Sequence, residues 1–144
     1  MIQLYIDAST EVTTGISGVG IVVKYQQKTT QYAIPLINHY TNHEAEFIAL
    51  IISLTIAKNY HDPHLYIFSD SQTVVDALSH HSIHHPNLKE LLYIAKQRCS
   101  SFETCEISWL PEKNNKGADH LARQACQQAK RNPHQHQEWN PDCF

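Results

Sequence analysis

No stretch of eighteen apolar residues occurs in this 144-residue chain, so no membrane-spanning helix is expected. The N-terminus has no basic segment followed by an apolar signal core. It runs directly into a strand-like pattern, and the chain is expected to be cytoplasmic. No C-x-x-C pair is present, and Cys99, Cys105, Cys126 and Cys143 are all read as reduced thiols acting as small apolar residues, rather than as a structural zinc site. Basic residues are few: 11 Lys and Arg against 14 Asp and Glu leave a net charge of -3. That argues against a general binder of polyanions, whose affinity comes largely from basic side chains. Bound divalent cations would offset several of the acids, and local basic groups can still form a stripe. There is no internal repeat. A composition 42% hydrophobic and 17% charged fits one globular domain, long enough to bury a core.

Hydrophobic periodicity predicts the order β-β-β-α-β-α-α-β-α. Residues 2–7 read as a strand and residues 10–18 as a loop punctuated by Gly15 and Gly18. Strands at 19–25 and 29–36 flank the short connection Gln26-Gln27-Lys28, so these first strands form antiparallel hairpins. A helix over 43–58 is apolar around most of its circumference, which predicts deep burial. A strand at 65–69 is followed by Asp70-Ser71, an N-cap for a helix to about Ser79. Leu88, Leu91, Leu92, Ala95 and Cys99 mark another helix. Residues 103–109 form the fifth strand, whose Cys105, Ile107 and Trp109 share one face, so Trp109 is expected in the core. Residues 111–116 read as loop, and Ala118 to Ala129 as the last helix. Helical crossovers imply parallel pairing for the last two strands. The expected fold is α/β, a five-stranded mixed sheet flanked by helices, occupying residues 1–131. Residues 132–144 lack periodicity and read as a flexible tail.

Four acids stand where solvated carboxylates are unusual. Asp7 and Asp70 each end an apolar strand, Glu46 is the one charge inside an apolar helical run, and Asp119 enters an amphipathic helix. Carboxylates at the rim of a core lose water and repel one another, so they stay ionised only with compensation. Hard divalent cations such as magnesium suit an all-oxygen site. Sites in open α/β sheets form at the carboxyl ends of strands, where Asp7 and Asp70 lie. If those strands are neighbours, the four acids can hold two divalent ions about 4 Å apart, an arrangement suited to phosphodiester hydrolysis. Taken singly, each acid reads as a cap or a solvated charge; Asp70 is the best such case. Glu44 reads as a first-turn helix charge and Asp76 as a solvated one. The histidines between His80 and His85, with His134 and His136, read as loop or tail residues rather than a transition-metal site.

The segments around these acids resemble type 1 ribonuclease H, a family that cleaves the RNA strand of RNA–DNA hybrids. The similarity lies in Tyr5-Ile6-Asp7-Ala8-Ser9, Thr41-Asn42-His43-Glu44-Ala45-Glu46, Phe68-Ser69-Asp70-Ser71-Gln72 and Asn115-Lys116-Gly117-Ala118-Asp119-His120-Leu121-Ala122. It covers about residues 1–130, in order and spacing. The resemblance implies a ribonuclease H-like fold and a two-metal endonuclease leaving 5′-phosphate and 3′-hydroxyl ends. It implies Asp7, Glu46, Asp70 and Asp119 as catalytic, metal-binding carboxylates for Mg2+, with Mn2+ as a substitute. Glu46 would also sense the 2′-hydroxyl beside the scissile phosphate. Asn42 and Gln72 would contact the minor groove of the hybrid. Thr41 and Ser71 would contact phosphate, and Asn115 is a further candidate substrate contact. The expected partner is an RNA–DNA hybrid, with no membrane, and the chain is expected to be a monomer. Three departures stand out. Ala8 replaces the usual glycine, the loop before Asp119 holds Glu112 and Lys113 but no histidine, and the basic protrusion of some bacterial members is absent. These departures keep open two alternatives: a weakly active or inactive nucleic-acid-binding scaffold, or a nuclease with another substrate.

Overall fold

The computed structural model describes residues 1–80 and 85–131. His81, His84, His134, His136, Trp139, Cys143 and the expected tail lie outside the described residues. The elements are β1 (Ile2–Thr10), β2 (Ser17–Tyr25), β3 (Lys28–Leu36), α1 (Asn42–Lys58), β4 (His64–Ser69), α2 (Gln72–His80), α3 (Pro86–Cys99), β5 (Thr104–Trp109), a 3-10 turn (Glu112–Asn114) and α4 (Lys116–Arg131). The sheet order is β3-β2-β1-β4-β5. β1 pairs antiparallel with β2 and parallel with β4, and β4 pairs parallel with β5. The expected five-stranded mixed sheet is therefore what the chain forms. No helix among the described residues is long and apolar enough to cross a membrane.

Alternation along the strands sorts their side chains between two faces. Ile2, Leu4, Ile6, Val19, Ile21 and Val23 are buried with α1, whose Phe47, Ile48, Leu50, Ile51, Ile52 and Leu54 are almost fully enclosed. The helix thus buries nearly its whole circumference, as its sequence predicts. Its N-terminus carries a capping box: Thr41 Oγ1 accepts from the Glu44 amide at 3.2 Å, and the Glu44 carboxylate accepts from the Thr41 amide at 2.9 Å. Glu44 is therefore a first-turn charge with a defined structural task.

The opposite face of β1 and β2 carries Tyr5, Asp7, Gly18, Gly20 and Val22, and α4 lies on it. Glycine is required there by close approach. A Cβ at Gly18 would stand 2.2 Å from the Cys126 amide nitrogen, and one at Gly20 would stand 2.0 Å from the Ala118 carbonyl oxygen. Gly18 is therefore not loop punctuation. β1 runs on to Thr10 and β2 starts at Ser17, because Thr10 pairs with Ser17 and Ser9 with Gly18. The loop shrinks to 11–16, with Gly15 at φ +73° against His39.

Two further expectations are corrected. Cys99 and Cys105 are joined as a disulfide, because the turn between α3 and β5 brings their Cα atoms to 5.8 Å. Cys126 is a free, buried thiol. Trp109 is 48% exposed rather than core, because it ends β5, an edge strand. Its indole N–H donates to the Asp70 carbonyl at 3.1 Å.

Candidate active site

The register places the first two acids. Ile6 pairs with Ser69 across the parallel β1–β4 ladder, and Tyr5 stacks on Phe68 with ring centroids 4.8 Å apart. Asp7 and Asp70 are the next residues along. Asp7 lies within β1 just past its last residue paired with β4, and Asp70 just past the end of β4, both with the parity of Tyr5 and Phe68. Asp119 reaches the same place from the first turn of α4, because α4 sits over Gly20, the register partner of Asp7. Asp7 is within hydrogen-bonding reach of both Asp70 and Asp119. Glu46 comes from α1, and the Ser71 hydroxyl donates to its Oε2 at 2.6 Å. His43 Nδ1 lies 3.6 Å from the same oxygen. All four acids line one open cleft of about 600 Å³, together with Asn42, Glu112, Arg123 and Lys130.

This gathering of negative charge is costly in the bare protein. Burial, with the neighbouring Asp70 charge, pushes the Asp7 carboxyl up to about 8. Burial also raises Glu46, against the hydrogen bond from Ser71. Asp70 is raised, chiefly by burial and then by the Glu112 charge. One cation faces the cluster directly: Arg123 Nε is 3.1 Å from Asp119 Oδ1, and its Nη2 is 3.7 Å from Glu112. Lys130, at the far end of the cleft, pairs with Glu11. Among the described residues no three His, Cys, Asp or Glu side chains already stand as a closed ligand set. The donor chemistry nonetheless fits a hard divalent cation: every donor is a carboxylate oxygen, and burial and neighbouring negative charge raise both Asp7 and Asp70.

The raised Asp7 carboxyl carries a stability consequence. Its folded-state proton affinity exceeds that of the unfolded chain, where an aspartate titrates near ~3.9. The contribution is fully present below about pH 4 and is lost as the pH rises through about 8. In chelator, Asp7→Asn should therefore melt higher than the wild type at pH 8 to 9 and show a flatter decline from pH 5 upward. Melting curves across that range check this; parallel slopes for the two proteins would show that Asp7 does not carry the charge strain.

The other predicted residues lie around this centre. Asn42 is exposed on the cleft wall. Thr41 is exposed at the α1 cap. Gln72 is exposed at the start of α2, and its amide donates to Asp76 at 2.8 Å. Ser71 is buried and does two things: its hydroxyl serves Glu46 and also accepts from the Val74 amide at 3.3 Å, capping α2. Asn115 is 2% exposed and does not line the cleft. Arg123 is a cleft residue that the sequence motifs do not mark. Its position one helical turn after Asp119 was the available signal.

The reverse transcriptase-like family matches residues 5–125. EbsB of Enterococcus faecalis, a protein whose name proposes a hydrolase, is 38% identical over 129 residues, covering 88% of this chain and 95% of EbsB. The bifunctional protein Rv2228c of Mycobacterium tuberculosis is 30% identical over 122 residues. That span is 83% of this chain and 34% of Rv2228c, so the chain matches about a third of that protein's length. The solved N-terminal RNase H domain of Rv2228c superposes with a TM-score of 0.80 at 26% identity, covering 87% of this chain and 98% of that one. RNase H1 from Halobacterium salinarum superposes at 0.82 and 25% identity, over 89% and 98%. LC11-RNase H1, solved in complex with an RNA/DNA hybrid, shares the fold at 0.82 and 22% identity, over 90% and 99%.

Proposed function

Since the chain belongs to the reverse transcriptase-like family of ribonuclease H-like domains, with ribonuclease H1 structures as its neighbours, we propose that it is a divalent-metal-dependent endonuclease cutting the RNA strand of RNA–DNA hybrids. One observation carries this reading. Asp7 and Asp70 emerge side by side from adjacent parallel strands, with Asp119 in reach of Asp7 and Glu46 lining the same cleft. A binding module gains nothing from such clustered negative charge.

Asp7, Glu46, Asp70 and Asp119 would hold two Mg2+ ions, or Mn2+ in their place. Bound there, the ions supply an activated water and stabilise the leaving oxygen. The chain's own residues prepare the rest. Ser71 orients the Glu46 carboxylate through its 2.6 Å hydrogen bond. Trp109 fixes the backbone of Asp70 from the neighbouring strand. Asn42, exposed on the cleft wall, and Gln72, exposed at the start of α2, would meet the minor groove, where the RNA strand displays its 2′-hydroxyls. The solved hybrid complex of LC11-RNase H1 supports the choice of substrate for this fold.

The test is cleavage of a labelled RNA–DNA hybrid beside duplex DNA and duplex RNA, each with Mg2+, Mn2+ or chelator. Metal-dependent cutting of the RNA strand of the hybrid alone is the expected result. Preference for another duplex would reassign the substrate. Tight hybrid binding without cutting in either metal would overturn the enzymatic reading in favour of a binding domain.

A further inference from the structure

Asn115 is a buried amide close to the carboxylate cluster. Its Nδ2 donates to the Ile6 carbonyl at 2.8 Å, across 109 positions of sequence. That carbonyl belongs to the peptide linking Ile6 to Asp7, so the bond sets the plane from which Asp7 projects. The main-chain oxygen of the same residue accepts the Asp119 amide at 3.0 Å, and its own amide donates to the Glu112 carbonyl at 2.9 Å. One residue therefore grips the part of β1 that carries Asp7, the first turn that carries Asp119, and the 3-10 turn between β5 and α4. The grip has a cost: Asn115 Oδ1 is buried and has no partner among the described residues. A buried acceptor without a donor destabilises a fold, and an apolar side chain of similar size would avoid that penalty. The donation to Ile6 is what the amide provides in return.

We propose that Asn115 is a positioning residue, which fastens α4 to β1 so that Asp7 and Asp119 meet, and that it acts on metal binding and turnover rather than by touching substrate. The inference rests on the endonuclease reading for its kinetic part and on the proposed carboxylate metal site for its metal-binding part. Misplacing a catalytic group by about 1 Å costs on the order of 100-fold in rate. Asn115→Leu keeps the size and removes the donor; Asn115→Ala removes the side chain. In each folded variant, kcat on the hybrid should fall by roughly 100-fold while KM stays within about two-fold. The rise in melting temperature expected of the wild type in Mg2+ should shrink or vanish. A raised KM with unchanged kcat would overturn the inference in favour of direct substrate contact. A lower melting temperature with normal turnover and a normal Mg2+ response would overturn it in favour of a purely structural role. If Asn115→Leu does not fold, Asn115→Ala decides alone. If the wild type cuts no hybrid, the function is what fails, and the Mg2+-dependent melting shift still judges Asn115.

Discussion

Replacing Asp70 by asparagine should lower metal-dependent cleavage by on the order of 1000-fold or more, since the cation that Asp70 would help to hold would supply several kcal/mol of charge stabilisation. The fold should survive. The Asp70 carboxyl is raised by burial and by the charge of Glu112, so a neutral side chain of the same shape removes repulsion instead of adding strain. The backbone anchor also remains, because Trp109 donates to the Asp70 carbonyl and not to its side chain. Turnover on a labelled hybrid, with circular dichroism and a melting curve on the same preparation, would check both halves. Activity retained by a folded Asp70→Asn protein would remove Asp70 from the metal site and, with it, the assignment of its partners.

Gly20→Ala should damage stability and activity together. The added Cβ would lie 2.0 Å from the Ala118 carbonyl oxygen and 2.6 Å from the Ala122 amide nitrogen, both backbone atoms of α4. Neither can withdraw unless the helix moves. Overpacking of this kind costs about 1–3 kcal/mol, and more where backbone must shift. Gly20 is the register partner of Asp7, so a displaced α4 carries Asp119 away from Asp7. A further fall of roughly 100-fold in turnover is expected from that displacement. Gly117→Ala is the control. Its Cβ would only meet Val22 Cγ2 at 3.4 Å, and alanine in a helix is favoured over glycine by up to about 1 kcal/mol. Denaturant unfolding and kcat of the two variants, side by side, make the comparison. Equal stability of Gly20→Ala and wild type would mean that α4 does not seat on β2 in this way.

Gly20 also shows where sequence reading stops. A glycine in a β-branched run signals a bulge or a close approach, but nothing in its neighbours says which element approaches. Gly18 reads as loop for the same reason; its pairing with Ser9 places it inside the sheet. Trp109 failed differently. Alternation correctly gives it the parity of Cys105 and Ile107, but parity does not reveal that its strand lies at the sheet edge and ends beyond the covering helices. The Cys99–Cys105 pair depended on a turn geometry that a separation of six residues does not specify. Asn115 looked like a substrate contact because it sits in a motif with Asp119. Its burial and its bond to Ile6 are facts of packing.

What the sequence determined by itself was local. Apolar period and turn chemistry set the order of elements, the antiparallel hairpins of the first three strands, the burial of α1 and the end of β4 that carries Asp70, because each depends on residues a few positions apart. The tertiary structure alone decided that β4 lies beside β1, how closely α4 could approach, and hence which carboxylates meet. Those outcomes rest on the register between distant segments and on two missing Cβ atoms, Gly18 and Gly20, where helix backbone lies against strand backbone.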